Sequence, residues 1–441
     1  TVKKLSKGDS AMNIVNLPRL QDADLKGKVV LVRVDHNVVK KGQIFDPYRI
    51  DATLGTLYYI NAKGGKIILM THVGRPRDKK TGGIEISPDT SVQPIVEYIQ
   101  KKLHITMKIP DFYRDEKKGY MGIETSVNHL IRELQEDKID GIYLPNTRWF
   151  FGEEAKGDDA DRFAHQLAGL ADIFVNDAFG SWQAHASTVL VAKYLPSYAG
   201  FLMQKEIENL ARIYSPGRPF VAVVAGSKFD TKIDPMFTLL KEADYLVLGG
   251  VIYNAYLCAK YDIAIKGIEA DDLASAKKFV DFAAQYPGKL IELPFIVESD
   301  TLEGRKEGQY RVHKISDLKP GQKLNYVLDV AKESFDEPEV RKDFMNAKTI
   351  FVNAVMGFTP HFNEGTIALD QLIDENREAT KLYGGGDTMQ ELKRLLPGLY
   401  IVAIDHPQYY IFTGGGAVLK AIEEGTPLGM EPVKVLNEKV N

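Results

Sequence analysis

One cysteine, Cys258, serves a chain of 441 residues, so an intrachain disulfide framework and a cysteine-rich metal centre are both excluded, and a reducing compartment is favoured. Core filling is the expected role of Cys258. No apolar run approaches the roughly 20 residues that a membrane span needs, and the polar stretch Thr1 to Ser10 carries no signal-peptide core. A cytoplasmic protein with no membrane partner is expected. Neither sign of charge is in large excess: the net charge of −4 offers no general attraction to nucleic acid, so any anion site must be a local cluster. Two glycine motifs are also missing. The lack of a Gly-x-Gly-x-x-Gly turn argues against a two-domain nicotinamide dehydrogenase, and the lack of Gly-x-x-x-x-Gly-Lys-Ser/Thr argues against a Walker-type ATPase.

Two glycine triplets are present instead, Leu382-Tyr383-Gly384-Gly385-Gly386-Asp387-Thr388 and Ile411-Phe412-Thr413-Gly414-Gly415-Gly416-Ala417. Each follows a strand-like segment and precedes helical apolar spacing, Met389/Leu392/Leu395 in the first and Ala417/Leu419/Ala421/Ile422 in the second. Glycine there permits positive φ and leaves free N–H groups at a helix start, which is a cradle for phosphate. A third element, Val224-Ala225-Gly226-Ser227-Lys228-Phe229-Asp230-Thr231-Lys232, places two lysines four apart just after an apolar strand. On a shared helix face both ammonium groups would reach one polyphosphate. A solvated helix face is the plainer reading of such a pair, and its position at a strand end favours the ligand.

Strand-like and helical segments alternate, which predicts an α/β fold of two doubly wound parallel-sheet (Rossmann-like) domains. The first half reads as strands Val29–Val34, Ile67–Met70, Gly141–Leu144 and Ile173–Asn176, with helices near Ile50–Asn61, Val92–Lys102, Val127–Gln135 and Asp159–Leu170. The second half reads as strands Phe220–Val224, Tyr245–Leu248, Leu324–Leu328, Thr349–Val352, Leu382–Tyr383 and Ile401–Ile404. Domains are expected over 1–198 and 199–426, with a tail, 427–441, that must pack back on one of them. Strand ends of the first half carry Asp35, His36 and Asn37, then His72 and Arg75, then Arg148, while Arg49 opens a helix. Parallel strands end on one edge, so three arginines and a histidine should converge there on a small, highly anionic molecule. Each arginine taken singly has an equal claim to be a surface charge paired with a nearby carboxylate.

Arg33-Val34-Asp35-His36-Asn37-Val38, His72-Val73-Gly74-Arg75-Pro76, Asn176-Asp177-Ala178-Phe179-Gly180, Gly200 to Glu206, Lys228 with Lys232, and both glycine triplets occur in an order and spacing that resemble the phosphoglycerate kinases along nearly the whole chain. The resemblance implies a bilobed, hinge-bending kinase that moves a phosphoryl group reversibly between MgATP and the carboxylate of 3-phosphoglycerate in glycolysis and gluconeogenesis. It implies an N-terminal domain for 3-phosphoglycerate, a C-terminal domain for ATP or ADP, a tail on the N-terminal domain, and a monomer. By position it gives Asp35 and Asn37 the glycerate hydroxyl and carboxylate, His72, Arg75 and Arg148 the 3-phosphate, and Arg49 the transferring phosphoryl group. Lys228 would neutralise the phosphoryl group in flight, with Gly386 and Gly415 at the same catalytic centre. Lys232 would hold the α-phosphate; Gly226, Asn353, Gly385, Gly386 and Thr388 would complete the nucleotide site, and Asp387 would bind Mg²⁺.

Several positions depart from the family pattern. Ser181-Trp182-Gln183 stands where Thr-Ala-His-Arg is usual, so one residue and an arginine are missing. Pro360 occupies the place of the ribose-binding glutamate, with Glu364 the one nearby substitute, and Asp329-Val330-Ala331-Lys332 replaces Asp-Ile-Gly-Pro. His36 and Val39 replace a usual Phe and Pro, and Pro145 replaces a Glu. A same-fold kinase with another acceptor or donor, and a non-catalytic nucleotide-binding relative, therefore stand beside the leading expectation.

Overall fold

The computed structural model describes residues 17–229 and 232–438. The reading of Thr1 to Ser10, and the residues Asp230 and Thr231 between the two lysines, lie outside the described residues. The chain forms two compact units, Thr1–Glu208 with Leu428–Asn441, and Asn209–Pro427.

In the first unit, β1 (Val29–Val34) reads Val-Val-Leu-Val-Arg-Val and is buried at every position. Such a strand must be covered on both faces. Val29 and Leu31 enter one core with Ile68, Ile142 and Phe174, and Val30 and Val32 enter the other with Leu69, Tyr143 and Val175. Around it lie β2 (Lys66–Met70), β3 (Met107–Lys108), β4 (Gly141–Tyr143), β5 (Ile173–Asp177) and β6 (Ser197–Ala199). The sheet order is β6-β5-β1-β2-β4-β3, parallel throughout. Chain order reverses between β1 and β5, and such a switch point opens a crevice at the carboxyl ends of the strands.

The helix expected over Ile50–Asn61 is two, α1 (Tyr48–Asp51) and α2 (Leu54–Ala62). Thr53 lies at the break, where its hydroxyl donates to the Ile50 carbonyl at 2.8 Å and meets His36 Nε2 at 2.9 Å. A hydroxyl bonded back to the preceding turn competes with helix continuation. The other helices are α3 (Gln93–Leu103), α4 (Val127–Gln135) and α5 (Asp158–Ala168). The division between the units falls inside α6 (Phe201–Tyr214).

The second unit is built on β7 (Phe220–Gly226), β8 (Tyr245–Gly249) and β9 (Leu290–Ile291), followed by a small antiparallel sheet of β10 (Phe295–Ser299), β11 (Tyr310–Lys314) and β12 (Tyr326–Val330), then β13 (Thr349–Asn353), β14 (Thr380–Gly384) and β15 (Tyr409–Phe412). The parallel sheet runs β9-β8-β7-β13-β14-β15, with the switch between β7 and β13. Its helices are α7 (Ile233–Glu242), α8 (Gly250–Tyr261), α9 (Ala270–Ala283), α10 (Pro338–Asn346), α11 (Glu364–Glu375), α12 (Gly386–Leu395), α13 (Pro397–Asp405) and α14 (Gly415–Glu424). The tail carries α15 (Glu431–Asn437), whose Val435 enters the first unit's core with Ala192 and Leu195.

Two expected strands are corrected. Ile401–Ile404 lies in α13, with Ile401 65% exposed; four successive apolar residues carry no period, and Pro397 in the first turn sets the helix start. The buried strand here is β15 instead. The strand expected at Leu324–Leu328 is split: Leu324 pairs in parallel with Ile265 in a two-stranded sheet, and Tyr326–Leu328 belongs to the small antiparallel sheet as part of β12. Cys258 is buried in α8, and burial pushes its thiol pKa up.

Candidate active site

A cavity of about 620 Å³ opens at the carboxyl ends of β7, β13, β14 and β15. Glycine shapes its floor. Gly385 has φ +131, and a Cβ there would stand 2.8 Å from Thr388 Oγ1; a Cβ on Gly415 would stand 2.3 Å from Gly385 Cα. The two triplets therefore touch backbone to backbone, and only glycine permits that approach. From this contact start α12 at Gly386 and α14 at Gly415. Their first-turn amides and dipoles favour an anion in the cavity, which Gly385, Gly386, Asp387, Thr388, Gly415 and Gly416 help to line.

Lys228 and Lys232 line the same cavity, although they share no helix face: α7 begins only at Ile233, with Lys232 as its cap. Lys232 Nζ donates to the Ala225 carbonyl at 2.5 Å and to Asn353 Oδ1 at 2.7 Å. Asn353 Nδ2 in turn donates to the Gly384 carbonyl at 2.6 Å, tying the strand ends to the first triplet. Burial lowers the Lys232 pKa to about 8, with Asp387 acting in the opposite direction. Gly226 closes the wall beside them.

The far end of the cavity is apolar, with Val327, Leu328, Met356 and Phe358, and contains Asp329. That carboxylate accepts the N–H groups of Val330 at 2.9 Å and Gly365 at 3.2 Å, while burial raises its pKa to about 7. Thr359 lines this end but Pro360 and Glu364 do not. Glu364 is engaged by Arg305 at 2.8 Å.

The first unit holds a second cavity of about 430 Å³, lined by Asp35, Asn37, Arg49, His72, Gly74, Arg75, Arg148, Gly180 and Gln183, with Val39, Lys40 and Phe45 at one side. It sits at the carboxyl ends of β1, β2, β4 and β5, where the strand order switches. Arg49 donates to Asp35 Oδ2 at 3.1 Å, and the buried Asp35 Oδ1 has no hydrogen-bond partner among the described residues. Asn37 Oδ1 accepts the Gly74 N–H at 2.9 Å. Arg148 donates to the Gly74 carbonyl at 2.7 Å, and its Nε lies 3.0 Å from Glu154 without being aligned for a hydrogen bond. Arg75 is exposed and makes no ion pair among the described residues. Two of the three arginines thus have carboxylate partners, and all three still line one cavity.

His36 is buried, its pKa lowered to about 3 by burial and by Arg33, and its ring nitrogens meet Tyr143 Oη and Thr53 Oγ1. Gln183, exposed, lines the cavity beside Gly180, whereas Trp182 does not. No motif marked Lys40, which lines the cavity, or Glu154, which stands beside Arg148 without lining it. Arg33 did have a signal, a charge inside an otherwise apolar strand, which requires buried partners.

One cavity offers amides, helix starts and lysines, the other arginines, a histidine and an unpaired carboxylate oxygen; together on doubly wound sheets they define an enzyme of phosphoryl transfer between anionic small molecules. A family model described as phosphoglycerate kinase matches residues 20–425. Similar proteins include the phosphoglycerate kinase of Dictyoglomus turgidum, 33% identical over 410 residues, covering 92% of this chain and 95% of that protein. The cytosolic phosphoglycerate kinase of Nicotiana tabacum is 34% identical over 423 residues, covering 93% of this chain and 96% of that one. Among solved structures, phosphoglycerate kinase from Coxiella burnetii aligns with a TM-score of 0.75 at 28% identity over 96% of this chain and 99% of that one. The chain belongs to the phosphoglycerate kinase family, and its chemistry is reversible phosphoryl transfer.

Proposed function

We propose that the chain transfers a phosphoryl group reversibly between MgATP and the carboxylate of 3-phosphoglycerate, giving 1,3-bisphosphoglycerate, with the first unit as the acceptor domain and the second as the nucleotide domain. The contact of the two glycine triplets carries this reading, because it gathers two helix starts, Lys228, Lys232 and Asp387 on one cavity. Lys232, Gly226, Asn353, Gly385 and Thr388 are assigned to the nucleotide, and Lys228, Gly386 and Gly415 to the phosphoryl group leaving it. Arg49 is assigned to that group on the acceptor, His72, Arg75 and Arg148 to the 3-phosphate, and Asp35 and Asn37 to the glycerate. The acceptor carboxylate is already ionised at neutral pH, so no general base is required and catalysis reduces to positioning and charge neutralisation.

No cluster of three or more His, Cys, Asp or Glu able to hold a metal occurs among the described residues. A single carboxylate suits Mg²⁺, which keeps several waters and binds mainly through substrate phosphates. Asp387 is the residue assigned to it, and the bound ion would supply neutralisation of phosphate charge. Among the described residues no helix is long and apolar enough to cross a membrane. A cytoplasmic location, supported by a relative named cytosolic, and a monomer complete the reading.

The purified protein with MgATP and 3-phosphoglycerate should form 1,3-bisphosphoglycerate, followed through a coupled dehydrogenase. Absence of product at millimolar substrate, with nucleotide binding intact, would reject the acceptor.

A further inference from the structure

Arg33, on β1, is 1% exposed and is not among the residues that line the acceptor cavity. Its Nε donates to Ser187 Oγ at 2.9 Å, Nη1 to the Val34 carbonyl at 2.5 Å, and Nη2 reaches His72 Nδ1 at 3.1 Å. Ser187 Oγ accepts from the arginine and donates onward to Glu153 Oε1 at 2.6 Å, while the Ser187 N–H donates to Glu153 Oε2 at 3.0 Å. Ser187 and Glu153 are both fully buried. Guanidinium is a donor only and stays protonated, so the ring nitrogen that faces it must be an unprotonated acceptor. The proton of a neutral imidazole then resides on Nε2.

We infer that Glu153, Ser187 and Arg33 form a buried hydrogen-bonded relay that holds His72 as the neutral Nε2–H tautomer, making Arg33 a positioning residue for the acceptor. This rests on the assignment of His72 to the acceptor phosphate. The charged and titratable groups acting on His72 agree with it: Arg33 on β1, Arg148 after β4, His185 after β5 and Arg49 on α1 all oppose an imidazolium. With burial as the largest cause, they push its pKa well below the ordinary value. The phosphate is therefore met by arginines and one neutral N–H donor. Any fall in acceptor affinity below about pH 6 belongs to the second ionisation of the phosphate monoester itself, not to His72.

The test is a ¹⁵N-histidine spectrum of the full chain without substrate, with His72→Gln to assign the ring. Nδ1 should be unprotonated and Nε2 protonated from pH 6 to 8. Ser187→Ala cuts the relay while leaving both charges in place. It should mix the tautomers and raise KM for 3-phosphoglycerate about tenfold, the loss of one hydrogen bond to a charged group, with KM for ATP unchanged. A proton on Nδ1, a ring that titrates near pH 6.5, or a Ser187→Ala variant with native spectrum and KM would overturn the inference. Should Ser187→Ala fail to fold, the native spectrum decides alone. Because it is recorded without substrate, failure of turnover with 3-phosphoglycerate would reject the acceptor without touching the tautomer.

Discussion

Replacing Gly415 by alanine tests whether the contact between the triplets is what builds the nucleotide site. The new Cβ would lie 2.3 Å from Gly385 Cα and 2.5 Å from Gly385 N. Ordinary carbon contacts fall near 3.5 Å or beyond, so the loops must part by about 1 Å. Both contacts are to backbone, so no side chain can swing away to relieve them. Overpacking of this kind costs about 1–3 kcal/mol, which for a unit of this size lowers Tm by roughly 2–12 °C. A displacement of about 1 Å at a positioned phosphate costs on the order of 100-fold in rate. Gly386→Ala is the control: its Cβ would meet nothing within 4 Å and its φ is not positive, so Tm should hold. Differential scanning calorimetry and the coupled assay on both variants decide the matter. A Gly415→Ala protein as stable and as active as the parent would refute the reasoning, because the geometry leaves no place for that methyl group.

Lys232 makes nucleotide affinity pH-dependent: its ammonium is intact in the free enzyme below about pH 8, and phosphate binding favours the charged form, so affinity should hold below pH 8 and fall by up to tenfold per unit above it. Titration calorimetry of Lys232→Arg should lose that fall, and an unchanged profile would count against the assignment. Asp387→Asn should weaken MgATP far more than metal-free ATP, because the amide keeps the shape and removes the charge; equal losses would reduce Asp387 to a first-turn helix residue. With Pro360 outside the cavity and Glu364 engaged by Arg305, 2′-deoxy-ATP should serve within about threefold of ATP. A strong preference for ATP would reveal a ribose contact that the structure does not show. Gln183→Arg, at the wall of the acceptor cavity, should lower KM for 3-phosphoglycerate by about 10- to 150-fold; an unaltered KM would place that side chain away from the phosphate.

What the sequence made legible follows from local rules. Val-Val-Leu-Val-Arg-Val could only be a strand covered on both faces, and parallel strands end on one edge, so Asp35, His72 and Arg148 line one cavity although they lie far apart in the chain. One glycine turn between a strand and a helix is ordinary turn chemistry, and the triplets were legible because two of them occur with a lysine pair after a third strand. What was hidden depends on contacts between distant residues. The break at Thr53 goes with its hydroxyl, which bonds back to the Ile50 carbonyl and meets the distant His36, and the spacing of Ile50 to Asn61 carries no trace of it. Ile401 to Ile404 are apolar without period, and their exposure in α13 is set by what lies beside them. The same limit applies to charge. Sequence places Arg148 and His72 at strand ends, but only the folded chain shows Glu154 beside one and Arg33 behind the other. Those neighbours decide that one is a paired cation and the other a neutral donor, so the residue types name the ligand class while the surrounding charges set how each residue meets it.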